Sequence, residues 1–404
     1  MQLKNNQHLT YCTNIHKGES WSEVFTYLKQ YIPEIKSQVS PDSPFGIGIR
    51  LSDLASKQLL EGQALDHFKS WLTENELYVF TMNGFPFGSF HGERVKDQVH
   101  HPDWTTRERV DYTVRLFKIL AEILPEGVDG GISTSPISYK LWWNHDNQAL
   151  NEIWEKGTRH LLEVIKYLIE LEKETGKKLH LDIEPEPDGL LENTAEVLTY
   201  FQKWLIPMGT PFLKEHFGFE AEEAERRIKS HLQICYDVCH FAVVYEEPDQ
   251  VFQAFRSAGI GIGKIQISAA LKALFTSDAG KTAHILEDFH HFNEPTYLHQ
   301  VVGRDASDVK YQYNDLPAAI EHFPDRDFRE WRSHFHVPVF LDKYDQLEST
   351  QEDILKVFAL NKVHEITQHL EVETYTWEVL PQAMQVDLTT SITRELNWVL
   401  KNVQ

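Results

Sequence analysis

The sequence predicts a (β/α)8 (TIM) barrel, and three observations point there. Short runs with strand character alternate with longer helical ones along the 404 residues, which argues for parallel strands joined by crossover helices. No linker rich in Pro, Gly or Ser and no low-complexity segment divides the chain, so residues 1–404 are read as one domain with an insertion. Within the strand runs polar and apolar residues alternate, an unusual pattern for strands sheathed by helices. An open doubly wound sheet is the alternative fold, although no glycine-rich phosphate loop follows the first strand.

In chain order the strand runs are LTYCTNIH (9–16), FGIGIRL (45–51), LYVFTMN (77–83), GGIST (130–134), LHLDIEP (179–185), LQICYDVC (232–239), IGKIQIS (262–268), HFHVPVF (334–340) and HLEVETY (369–375). Helices are expected at 20–37, 52–74, 105–124, 146–175, 191–206, 219–230, 248–258, 351–367 and 387–402. In 105–124, Thr105 or Thr106 can cap the start with Glu108 following, and Val110, Val114, Phe117, Leu120 and Ile123 recur at helical spacing. Nine strand runs are one too many for the barrel. The surplus falls after residue 268, so residues 270–333 are read as an insertion near the seventh strand, with a hairpin in YLHQVVGRD and VKYQY.

Composition narrows the functional classes. A hydrophobic content of 41% suits a globular core. No eighteen-residue apolar run occurs and MQLKNNQHLTYC lacks the apolar core of a secretory signal, so no integral membrane segment and a cytoplasmic location are expected. Cys12, Cys235 and Cys239 are too few for a disulfide framework and are read as reduced thiols. Cys235 and Cys239, four apart on one strand face, are not read as a zinc pair. A formal charge of −22, from 61 acidic and 39 basic residues without a Lys/Arg block, argues against a nucleic-acid partner.

Side chains alternate sides along a strand. Sorting the runs puts Leu179, Leu181 and Ile183 on one side and His180, Asp182 and Glu184 on the other. Likewise Asp237 opposes Tyr236 and Val238, Lys264 and Gln266 oppose Ile265 and Ile267, and His334 and His336 oppose Phe335 and Val337. Glu371 and Glu373 oppose Leu370 and Val372; Asn14 and His16 oppose Tyr11 and Ile15; Arg50 opposes Ile49 and Leu51. Asp182, Glu184, Asp237, Glu371 and Glu373 would then point inward against only Arg50 and Lys264. Burying unpaired carboxylates costs roughly several kcal/mol each, a cost that protonation, water or a bound cation must relieve. A single such acid is more often a solvated strand-end carboxylate. Five convergent acids with histidines beside them suit Mg²⁺ or Mn²⁺, and Zn²⁺ also fits.

The ordered stretches LDIEPEP, CYDVCH, KIQIS and LEVETYTW resemble the xylose isomerase-like barrel superfamily of sugar isomerases, ketose 3-epimerases and endonuclease IV. In its epimerase branch Glu, Asp, His and Glu at the ends of the last four strands hold the metal, and a D-x-x-H histidine touches substrate. The resemblance implies metal ligands Glu184, Asp237 and Glu373, with His240 completing D-x-x-H. The strand after CYDVCH carries Gln266 where the family has histidine, so the third ligand is either Gln266, through its carbonyl oxygen, or His336 of HFHVPVF. TYCTNIHKGESW, FGIGIRLS, FTMNGFPFGSFHG, EPEPDGLLE and HFHVPVF resemble a narrower group, the metabolite traffic family EboE, from residue 9 to about 380. That likeness implies an Ebo-type biosynthesis or transport context, with other Ebo-cluster proteins as possible partners.

The resemblance implies an isomerase or epimerase of a small polyhydroxylated metabolite. Glu184 and Glu373 are the expected acid/base pair on a metal-stabilised enediolate, and His240 would hold a substrate hydroxyl. Glu186, beyond Pro185, is expected to face the helix side or solvent as a spare acid. Phe85, Phe87 and Phe90 in NGFPFGSFHG fit either a mobile apolar lid or a loop packed on the surface. Trp142 and Trp143 in KLWWNHD could stack on substrate or lie in the core. His16 and Arg50 could bind a substrate phosphate or carboxylate, or neutralise nearby acids. A non-catalytic metabolite carrier on the same barrel is the alternative function. An endonuclease IV-like phosphodiesterase is disfavoured by the acidic charge.

Overall fold

The computed structural model describes residues 1–90, 95–143, 147–377, 379–380 and 386–403. Residues 91 and 92 of NGFPFGSFHG and 144–146 of KLWWNHD lie outside the described residues.

Eight parallel strands form the barrel: β1 (His8–Tyr11), β2 (Phe45–Arg50), β3 (Leu77–Asn83), β4 (Gly130–Thr134), β5 (Leu179–Ile183), β6 (Leu232–Asp237), β7 (Ile262–Ile267) and, after six strands of a second sheet, β14 (His369–Val372). Their order is β1-β14-β7-β6-β5-β4-β3-β2. The seam between β1 and β2 is closed by the Cys12–Gly48 bridge and by Thr10, whose Oγ1 donates to the Gly46 carbonyl (2.8 Å) and accepts from the Gly48 N–H (2.9 Å). Gly46 and Gly48 allow this close approach; a Cβ at Gly48 would lie 1.8 Å from Glu371 Oε1.

The outward set packs under helices as amphipathicity requires: Ile47, Ile49, Val79, Leu181, Ile183, Ile234, Ile265, Ile267 and Leu370 are fully buried. Helices such as Trp21–Val39, started by a Ser20/Glu23 capping box, and Arg107–Ile123, capped by Thr106, cover that face. The expected helix at 52–74 is two, Asp53–Leu59 and Ala64–Glu74, parted near Gly62 at φ +56°. The one at 191–206 begins at Thr194 and runs through a π turn (Phe201–Leu205) into Ile206–Phe217.

Between β7 and β14 lies a six-stranded antiparallel sheet made of β8 (Leu271–Leu274), β9 (Val301–Asp305), β10 (Lys310–Tyr313), β11 (Phe328–Ser333), β12 (Lys343–Tyr344) and β13 (Leu347–Ser349), in the order β10-β9-β11-β8-β13-β12. The expected hairpin is the β9–β10 pair. HFHVPVF is not a strand. It follows β11 as a connection stitched to both sheets: the His334 N–H donates to Gln300 (2.8 Å) and the Val337 N–H to Ala269 at the end of β7 (3.0 Å), while Pro338 has no N–H to give a ladder. The expected first strand is also shorter. After Tyr11 the chain turns helically through Thr13–Ile15, and Thr13 Oγ1 accepts the Arg50 N–H (2.9 Å). Likewise β6 ends at Asp237, so Cys239 sits in the helix Val238–Val243 rather than beside Cys235 on a strand.

Candidate active site

Three strand ends deliver three carboxylates to one face. Glu184 follows β5, and its N–H donates to the Thr134 carbonyl (2.9 Å). Asp237 ends β6 and caps the helix Val238–Val243, its Oδ1 accepting from the His240 N–H (3.1 Å) and the Ser268 hydroxyl (2.6 Å). Glu373 follows β14, its N–H bonded to the Ile267 carbonyl (3.0 Å). One oxygen from each of Glu184, Asp237 and Glu373 lies within 4.8 Å of the other two, and all three residues are buried.

Histidines complete the group. His336 Nδ1 faces the Glu373 carbonyl (2.9 Å), which can only accept, so the proton sits on Nδ1. Its Nε2 lone pair then lies 3.9 Å from Asp237 Oδ2. Neither of these two atoms, nor Glu184 Oε2, has a hydrogen-bond partner. Burial lowers the His336 pKa to about 4, which keeps the imidazole neutral. His240 is oriented in the same way, its Nδ1 facing the Pro185 carbonyl (3.0 Å) and its Nε2 lying 3.9 Å from Asp237 Oδ1. His334 Nδ1 faces Gln300 Oε1 (2.9 Å), and burial with neighbouring imidazoles holds its pKa well below the ordinary value.

Gln266 plays another part. Its amide donates to Glu373 Oε2 while its Oε1 accepts from the Cys235 thiol, so its carbonyl oxygen is turned away from the cluster. Of the two candidates for the missing imidazole position, His336 is the one that turns an unpartnered nitrogen toward Asp237, at 3.9 Å. Glu373 Oε1 also accepts from the amides of Asn14 (2.8 Å) and Asn83 (2.9 Å). The donors around Glu373 are thus neutral. Burial, followed by the charges of Glu373 and Asp237, pushes the Glu184 pKa well above the ordinary 4.5. Burial, then Asp237 and Glu371, does the same to Glu373.

Next to the cluster is a cavity of about 60 Å³ whose lining includes Glu184, Glu186, His240, His334 and Glu373 together with Phe85, Phe90, Tyr297 and Tyr375. Phe87 is outside it, packed edge-on against Tyr112 (5.0 Å between centroids). Glu186 is not on the helix side or in solvent: it is 6% exposed, lines the cavity and meets His100 Nε2 at 2.9 Å. The period-two alternation stops with β5 at Ile183, and past Pro185 the backbone turns Glu186 inward.

Besides Asp237, Gln266 and His336, three more candidate residues lie outside the cavity lining. His16 stacks on Tyr31 (4.6 Å) and binds the Tyr11 hydroxyl (2.7 Å). Arg50 pairs with Glu19 (3.0 Å) and donates to the Gly88 carbonyl. Trp142 donates to Asp97 (2.7 Å) and sits edge-on behind His100. Sequence reasoning missed Asn83, His100 and Gln300. Asn83 carried a signal, as a polar residue ending an apolar strand; the other two come from loops with no such pattern. It also missed the buried Arg109, which donates to the carbonyls of Gly84 (2.8 Å), Phe85 (2.9 Å) and Pro102 (2.7 Å) and so ties together the two loops at the mouth.

No protein-family model matches the chain, and no curated protein matches it in sequence. Solved structures resemble it along its length. A xylose isomerase-like TIM barrel protein from Mycobacterium smegmatis, in complex with magnesium, is 8% identical, with 100% of this chain and 98% of that one covered and a TM-score of 0.52. 3-Keto-D-glucoside 4-epimerase from E. coli is 13% identical, with 98% and 99% covered and a TM-score of 0.44. The probable 3-DHS dehydratase AsbF from Bacillus anthracis is 11% identical, with 98% and 100% covered and a TM-score of 0.45. The fold is therefore a xylose isomerase-like (β/α)8 barrel. Such barrels carry their chemistry at the C-terminal ends of the strands, the end where Glu184, Asp237 and Glu373 meet.

Proposed function

We propose that the chain is a divalent-cation-dependent isomerase or epimerase acting on a small polyhydroxylated, sugar-like metabolite. The observation that carries this reading is the meeting of three buried carboxylates with a neutral imidazole whose Nε2 has no partner. Glu184, Asp237, His336 and Glu373 offer three hard oxygens and one nitrogen, a donor set that fits Mg²⁺, Mn²⁺ or Zn²⁺. The Nδ1 contact of His336 and the amides on Glu373 are the outer partners that fix such donors.

When bound, the cation supplies Lewis-acid polarisation of a substrate carbonyl and its neighbouring hydroxyl. The chain's own residues move the proton. Glu184, with Oε2 unpartnered, is the base placed to take a proton from carbon. Glu373, both oxygens ordered by amide donors, is its counterpart on the other side. His240 presents Nε2 to a substrate hydroxyl. Phe85, Phe90 and Tyr375 exclude water.

The likeness of the quoted motifs to EboE supports a substrate from an Ebo-type pathway, handled in the cytoplasm with other Ebo-cluster proteins. In this reading residues 1–404 form one barrel domain whose second sheet is an insertion capping the mouth.

The test is solvent exchange. Metal-loaded protein is incubated with a panel of ketoses and keto-polyols in D₂O, and deuterium entering the carbon next to the carbonyl is followed by NMR. Exchange is expected with the wild type and is lost by ~10²-fold or more in Glu184→Gln and Glu373→Gln. Tight binding of a panel member without exchange would instead establish a carrier.

A further inference from the structure

The N-terminal end of the barrel gathers a second set of ligating atoms, which the proposed reaction does not use. We propose that Asp129, His180 and His369 form a separate binding site for a zinc-like cation, pinning β4, β5 and β14 at the end of the barrel opposite the mouth.

One oxygen of Asp129 and one ring nitrogen from each histidine lie within 4.8 Å of one another. Asp129 Oδ1 is 3.2 Å from His369 Nε2 and Asp129 Oδ2 is 3.9 Å from His180 Nε2. Ligands about 2.0–2.2 Å from a tetrahedral ion stand about 3.3–3.5 Å apart, so small rotations close the set. His180 Nδ1 is bonded to Asp182 Oδ1 at 2.6 Å, which turns Nε2 toward Asp129. That carboxylate–imidazole pair is the arrangement that orients and strengthens a metal-bound histidine. His369 is fully buried, and its Nδ1 has no hydrogen-bond partner.

The neighbouring strands make room for this pair. A Cβ at Gly263 would lie 2.0 Å from Asp182 Oδ1 and 2.6 Å from His180 Nδ1, and one at Gly131 would lie 2.5 Å from His180 Cε1. Access exists on the remaining side, where Asp129, its side chain 35% exposed, borders a surface cleft of about 550 Å³ shared with Thr175, Lys177 and Gln368. Two imidazoles and one carboxylate favour Zn²⁺ or Co²⁺ over Mg²⁺, whereas the oxygen-rich mouth suits the harder ions. The competing arrangement is a metal-free network in which protonated imidazoles pair with Asp129 and Asp182.

The experiment uses untagged full-length protein stripped of metal, then titrated with Zn²⁺ and, for its visible tetrahedral spectrum, Co²⁺. In the mouth-disabled variant Glu184→Gln/Asp237→Asn, one Zn²⁺ per chain is expected to remain, to raise Tm and to give the Co²⁺ bands. Adding Asp129→Ala, at a partly exposed position, is expected to weaken that ion by ~10-fold or more and to remove the bands; His369→Ala is expected to do the same. A mouth-disabled protein that binds no Zn²⁺, or binds it unchanged after Asp129→Ala, overturns the proposal. Failure of the mouth reading looks different: wild type and the mouth-disabled variant would then bind equal numbers of ions.

Discussion

Two adjacent layers of the barrel interior handle buried acid in opposite ways. In the middle layer Glu371 meets Lys264 at 2.7 Å, both side chains fully buried, with Ser133 Oγ also 3.1 Å from the ammonium. Two residues on, Glu373 shares the mouth with Glu184 and Asp237, and its hydrogen bonds come from the neutral amides of Asn14, Asn83 and Gln266. One strand line thus carries an acid with a lysine counter-charge built in and an acid bonded only to neutral amides. The lesson is that burial of a carboxylate says little about function until its partner is named. A paired charge is scaffold, while a crowd of acids whose donors are all neutral is a candidate receptor for a cation or a proton.

The sharpest way to break this contrast is to remove one charge from each layer. Lys264→Met leaves Glu371 buried without its partner and is expected to cost about 3–5 kcal/mol in urea unfolding, most of it recovered in Lys264→Met/Glu371→Leu. Glu184→Gln has the opposite sign in chelated protein at pH values where Glu184 is ionised: it removes a like charge from the mouth and is expected to stabilise while weakening cation binding. If both substitutions destabilised the chelated protein equally, the two layers would be alike and the contrast would fail.

A second, smaller effect is in pH. In the metal-free protein the Glu184 and Glu373 carboxyls titrate above their ordinary 4.5, because of burial and then, for Glu184, of the Glu373 and Asp237 charges and, for Glu373, of the Asp237 and Glu371 charges. Between the unfolded value and the raised folded ones, the folded state holds more protons than the unfolded. Stability is therefore fully present below about pH 4.5 and falls as pH rises through the folded pKa values, by about 1.4 kcal/mol per unit for each extra proton held. Saturating cation displaces those protons and should flatten the decline, and its own affinity should fall as pH drops. Chemical denaturation from pH 5 to 8, with chelator and with Mg²⁺ or Mn²⁺, reads both slopes; a chelated protein of constant stability over that range contradicts the account.

How much of this was legible in the sequence follows from where period two holds. Inside the barrel strands each residue's side is fixed by its parity, so the inward direction of His180, Asp182, Lys264 and Glu371 could be read one residue at a time. Parity fails once the ladder ends. Glu186 swings into the cavity after Pro185, and HFHVPVF, although it alternates like a strand, is a tether between two sheets. The mouth also borrows Tyr297, Gln300 and His334 from the second sheet and its connections. Their arrival depends on how that sheet packs, which local spacing does not encode. Gln266 stood in the position where a ligand was sought, and its amide donates to Glu373 Oε2 while its carbonyl accepts from the Cys235 thiol, contacts that strand parity does not encode.

The smallest expected effect tests whether neutral donors alone tune the mouth. Asn83 Nδ2 gives Glu373 Oε1 one of its two amide bonds, at 2.9 Å, from the end of β3. Asn83→Ala removes that donor without changing any charge, so Glu373 should hold its proton more tightly and its carboxylate should be less fixed. A hydrogen bond of this kind contributes about 1 kcal/mol, so cation affinity at pH 7 should fall about fivefold, with the pH midpoint of cation binding moving upward. Asn83 also caps the turn into the Phe85 loop, its Oδ1 accepting the Phe85 N–H at 3.0 Å. Asn83→Asp separates the two roles. It keeps the acceptor for Phe85 but sets a further acid against Glu373, and should weaken the cation at low pH while strengthening it once both acids ionise. If Asn83→Ala and Asn83→Asp showed the same pH profile, Asn83 would matter only for the shape of the loop.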